Sequence, residues 1–152
     1  MRILLFVLAV TFLGIWIEEV FGRVEAFMPA FLLLLKYERT QAAAWSLVWW
    51  TFLQEGVGSL AFGAMFLFLA GVWMLFHAGS KLFERDNIFF MGCMLILAVF
   101  WQRLVMWTIS GLQDIEPAFS LAAPGDMLVQ LWVYLVLFIV YSAGFNRLVP
   151  GK

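Results

Sequence analysis

Between Ala26 and Leu69 the chain reads AFMPAFLLLLKYERTQAAAWSLVWWTFLQEGVGSLAFGAMFLFL. Two apolar runs, Phe27–Tyr37 and Ala42–Phe52, are each shorter than the ~20 residues a standard transmembrane helix needs. The charged turn Lys36–Thr40 joins them, and the polar hinge Gln54-Glu55-Gly56 leads into a third run. An apolar chain that stops twice for ionisable residues points to a multi-span membrane protein with something buried at its breaks.

Of the 152 residues, 65% are hydrophobic and only 12% charged. Soluble domains stand near half and a quarter, so the excess reads as lipid-facing surface rather than an enlarged core. One transmembrane helical domain, residues 1–152, is expected at this length. The net charge of −1 gives no footing for nucleic acid. The single cysteine, Cys93, excludes a disulfide within the chain.

Met1-Arg2 followed by Ile3–Ile17 resembles the charged and apolar regions of a signal peptide. The next residues, Glu18 to Arg23, contain no small-x-small cleavage site, so the segment reads as a retained first span. Ile3–Phe21, Ser59–His77, Ile88–Ser110 and Met127–Phe145 are each long and apolar enough to cross. Phe27–Tyr37 and Ala42–Phe52 are two short, protein-shielded helices or one re-entrant hairpin, since irregular backbone at membrane depth must be surrounded by protein or a wet cavity.

Basic residues decide between these. With six segments and an inner N-terminus, Arg2, Lys36, Arg39, Lys81, Arg85, Arg147 and Lys152 all fall on the cytoplasmic side, and Arg23 alone falls outside. That asymmetry favours six spans. Glu18, Glu19, Glu25, Glu55, Asp114, Glu116 and Asp126 then lie mostly outside, as does the longest loop, Gly111–Asp126.

Two ionisable residues stand out. Glu55, in Gln54-Glu55-Gly56-Val57-Gly58, reads either as a buried, paired carboxylate or as an exposed loop acid. Arg103, inside Ile88–Ser110, is costly at membrane depth and calls for a partner; Glu55 and Glu19 are the candidates. Such a pair either fixes helix register or serves a function. Pro29, Gly56 and Gly58 are the expected helix-break positions. His77, the only histidine, reads as interfacial. One histidine cannot supply paired haem ligation, and no cluster has metal-ligand spacing. Gly56, Gly58, Gly63 and Gly71 thin the helix surface without a strict GxxxG. No nucleophile motif or phosphate loop occurs, so neither catalysis nor a cofactor is expected.

Three features align with one family. Pro29 to Tyr37 (PAFLLLLKY) sets a proline before a leucine-rich short helix ending near an aromatic. Phe52 to Gly63 (FLQEGVGSLAFG) sets an acid before glycines and a small-residue turn. Phe89 and Phe90 follow the basic loop of Lys81 and Arg85. Over Pro29–Trp107 the chain thus resembles MreD, the rod shape-determining membrane protein family, which usually has Asp where this chain has Glu55. The resemblance implies an all-α fold of about six transmembrane helices, two of them short, like the substrate-binding component of energy-coupling-factor transporters. It also implies a non-catalytic role in the bacterial inner membrane: binding a single-span MreC-like scaffold and supporting the wall-synthesis enzymes of lateral growth. The competing readings are a transporter's substrate-binding subunit and a cofactor-free anchor of a larger enzyme complex.

Overall fold

Each apolar run becomes a helix, and the ionisable breaks fall at or near helix ends. In the computed structural model, which describes residues 1–21, 24–57, 63–112 and 124–149, the order is α1 (Arg2–Phe21), α2 (Met28–Lys36), α3 (Thr40–Val57), α4 (Ala64–Gly79), α5 (Ile88–Leu112) and α6 (Pro124–Leu148). Among the described residues there is no strand. Gly58, Arg23, Lys152 and the loop positions Asp114, Glu116 and Pro117 lie outside them. Among the described residues three helices, Arg2–Phe21, Ile88–Leu112 and Gly125–Leu148, are long and apolar enough to cross a membrane, whereas the apolar Ala64–Gly79 is shorter.

The third element departs from expectation. The run Ala42–Phe52 is part of an 18-residue helix, ~27 Å long at 1.5 Å per residue. Gln54, Glu55 and Gly56 lie in its final turns, so Gly56 is not a break. Nothing crowds Gly56, and a glycine in a last turn interrupts few backbone bonds. Pro29 lies in the first turn of α2, where its missing N–H costs nothing and its fixed φ suits the helix.

Five helices close a ring in the order α1, α3, α4, α5, α6 and back to α1, and α2 sits inside it against α3, α4 and α6. The reason is in α2 itself. Its sequence MPAFLLLLK is apolar on every side, and such a helix is stable only when covered all round. Met28 to Leu35 are all buried. The ring helices bury one stripe each: in α1, Phe6, Val10 and Gly14 face inward at helical spacing, while Phe12, Ile15 and Trp16 point out. Lipid is as apolar as leucine, so the bundle is held by close packing and hydrogen bonds rather than by expulsion of water.

Specific side chains show that packing. Trp50 of α3 stacks on Phe27 with ring centroids 5.2 Å apart and donates its indole N–H to the Thr11 hydroxyl of α1 at 2.9 Å. The Phe27 ring fills the space a side chain at Gly14 would need. On the other side of the ring, Trp101 of α5 lies on Gly71 of α4 so closely that a Cβ there would overlap the indole. Its Nε1 donates to the Leu67 carbonyl at 3.3 Å.

α2 ends in a Schellman turn. Arg39 N–H donates to the Leu34 carbonyl at 2.9 Å and Glu38 N–H to Leu35 at 3.1 Å, with Glu38 at φ 56°. A residue in the left-handed region is what this cap requires. Tyr37 then stacks on Phe145 of α6 at 4.6 Å and donates to Asn146 Oδ1 at 3.0 Å. Lys36 approaches Asp86 at 3.6 Å and Arg85 pairs with Glu38, tying the α2–α3 turn to the α4–α5 connection.

Candidate functional site

A nine-residue helix inside a ring must start and stop there, and its start carries the most demanding chemistry in the fold. The linker Val24–Phe27 leads into α2 as irregular backbone, with Glu25, Ala26 and Phe27 all buried. Every N–H at such a buried start needs an acceptor. Glu25 Oε1 accepts from Phe27 N at 2.7 Å and Met28 N at 2.9 Å. Pro29 has no N–H to satisfy. Glu18 Oε1, from α1, accepts from Ala26 N at 3.1 Å. Glu25 therefore caps the start of α2, at a helix end that favours an acceptor, and Glu18 holds the linker just before it.

The remaining atoms of these groups reach three more helices. Gln54 of α3 donates its amide to Glu18 Oε2. Gln130 of α6 donates to the Glu25 carbonyl at 3.0 Å. The Tyr134 hydroxyl of α6 lies 2.9 Å from Glu25 Oε2 and 3.0 Å from Gln102 Oε1 of α5. The hydroxyl holds one hydrogen and faces two acceptors. A protonated Glu25 satisfies both, donating to Tyr134, which donates on to Gln102. Electrostatics agree: burial, and then the nearby Glu18 carboxyl, push the Glu25 carboxyl above the usual carboxylate range, against the pull of the Tyr134, Phe27 and Met28 hydrogen bonds.

The residues singled out from sequence are distributed around this knot. Arg103 is buried on α5, next to Gln102 in sequence, and the groups that act on it electrostatically are Asp126 and Tyr134 of α6. Glu19 is exposed on α1. Glu55 is half-buried, and its carboxylate accepts from Phe66 N at 3.4 Å, an N–H in the first turn of α4 that has no partner within its own helix. Glu55 thus joins the end of α3 to the start of α4. His77 is exposed.

Glu25 is the addition that matters most. The topology counts it among the acids on the outer side, and the structure buries it in protein. Sequence reasoning passed over it, together with Glu18, Gln130 and Tyr134. One signal was available: Gln130 and Tyr134 are four residues apart in an apolar segment, which puts two polar groups on one helix face. Among the described residues no group of His, Cys, Asp and Glu is placed to hold a metal ion. In comparison with known proteins, no family model, no curated protein and no solved structure matches this chain.

Proposed function

We propose that the chain is a non-catalytic scaffold of the bacterial inner membrane, of the MreD type. It makes six passes with both termini in the cytoplasm, and binds a single-span MreC-like partner to support lateral wall synthesis and rod shape. The observation that carries the reading is the use of the interior. The ring is filled by α2, and Glu18, Gln54, Glu25, Tyr134 and Gln130 bond to one another or to backbone at the start of α2. Polar groups spent in this way hold a helix in place, and leave the outer faces and loops for partners. The arrangement of a short helix inside a ring also supports likeness to the substrate-binding component of energy-coupling-factor transporters. The proposal implies neither cofactor nor nucleic acid, and contact with membrane lipids on all sides.

A transporter's substrate-binding subunit is the second reading, favoured by one observation: two carboxyl groups and three carboxamides converge at one end of the bundle. Affinity purification of the tagged chain from crosslinked membranes, with mass spectrometry, separates the two. The scaffold reading expects a single-span coiled-coil protein and wall-synthesis enzymes. An ATPase module in their place overturns it, as does unchanged cell shape on depletion.

A further inference from the structure

An open groove of about 730 Å³ runs along the outside of the ring between α1 and α3, within the size range of roughly 300–1,000 Å³ typical of small-molecule sites. Its body is apolar, with Val7 and Leu8 of α1 facing Trp45 and Trp49 of α3. Its polar end is formed by Glu38, Arg39, Thr40 and Gln41 where α3 begins. We infer that this groove is a binding site for an anionic phospholipid, with its phosphate at Arg39 and the α3 N-terminus and its acyl chains along the Trp45–Trp49 wall. The inference goes beyond the scaffold reading and needs only that the chain lies in a bilayer.

Two observations carry it, together with the direction of the groove. First, the charge at the polar end is uncompensated. Arg39 is exposed and has no ion pair among the described residues, while its neighbour Glu38 is already taken by Arg85. Second, the N–H groups of Thr40, Gln41 and Ala42 precede the first bond of α3, which runs from Ala43 N to the Arg39 carbonyl. Free N–H groups at a helix start favour a phosphate. Trp49 lies ~14 Å along α3 from Thr40, so the groove runs from this charged end along a chain into the hydrocarbon. A lipid presents the same order of groups, an anion and then hydrocarbon. An unspecific apolar strip would not need the first.

The test is native mass spectrometry of the detergent-purified protein with equimolar palmitoyl-oleoyl phosphatidylglycerol and phosphatidylcholine. The expected result is preferential retention of phosphatidylglycerol. Arg39→Gln lowers that retention about fivefold, the worth of one basic residue at an anionic surface, and lowers phosphatidylcholine less, because its choline cation offsets the phosphate charge. Lys81→Gln, a charge-matched control away from the groove, has no effect. Equal retention of the two lipids overturns the inference, as does an equal loss in both variants. So does a dimer, or a single-span partner crosslinked at Trp49, that occupies the groove and excludes the lipid.

Discussion

The Tyr134 hydroxyl lies 2.9 Å from Glu25 Oε2, joining the last helix to the linker that leads into the shortest one. Through that contact α6 holds the start of α2. The same hydroxyl reaches Gln102, so α5 is held as well. Removing one oxygen atom should loosen three elements at once. Tyr134→Phe is expected to cost about 1–3 kcal/mol, the range for leaving a buried polar group without its partner. Tyr141 is the control on the same helix: its hydroxyl is buried with no partner among the described residues. Tyr141→Phe should match or exceed the wild type. Thermal unfolding in detergent compares the two, and equal losses would show that the Tyr134 contact contributes nothing.

Glu25 gives the fold a pH dependence whose sign is determined. An ordinary glutamate ionises near 4.5, and burial raises this one. Between those values the folded state binds more protons than the unfolded state, so stability falls as pH rises through the window and levels once the folded value is passed. Glu25→Gln keeps an acceptor for Phe27 and Met28 and a donor for Tyr134, and has no proton to lose. Melting temperature measured from pH 4 to 9 should decline with rising pH more steeply in the wild type than in the variant. Parallel curves would refute protonation at this site.

Gly71 and Trp101 occupy one space. Gly71→Ala is expected to destabilise by about 1–3 kcal/mol through overpacking against the indole. Gly92→Ala, where nothing lies within 4 Å, should be neutral or gain up to about 1 kcal/mol from helix propensity. Because the clash is with one side chain, Trp101→Ala should reduce the cost of Gly71→Ala, a coupling that a double-mutant cycle reads directly. Additive effects would place the close contact elsewhere.

Arg103 and Arg85 separate buried from exposed charge. Arg103 is 5% exposed, and Asp126 and Tyr134 of α6 act on its charge. Arg103→Ala should cost about 2–3 kcal/mol, in the upper part of the usual range for a single substitution. Arg85 pairs with Glu38 near the surface, where such pairs contribute about 0–1 kcal/mol. Equal melting temperatures for the two alanine variants would show that Arg103 is dispensable to the bundle.

Much of the architecture was legible in the chain because it depends on local composition. The positions of the apolar runs, the shortness of the second one and the start at Pro29 all follow from residues within a few positions of one another. The length of α3 was not legible, because Gln54-Glu55-Gly56 reads as a hinge by residue type. The helix continues through it because Gln54 has Glu18 as a partner and Glu55 has Phe66 N–H. Those partners lie on other helices.

The candidate site divides in the same way. That Arg103 needs a partner is a property of an arginine in an apolar run, and the sequence alone determined it. That Glu25 is buried, and that Glu18, Gln102, Gln130 and Tyr134 converge on it, was decided only by the tertiary structure. An acid next to a helix end has the same sequence whether it faces water or protein. What distinguishes the two is whether α2 enters the ring, and α2 enters because it is apolar on every side and only neighbouring helices, here α3, α4 and α6, can cover it.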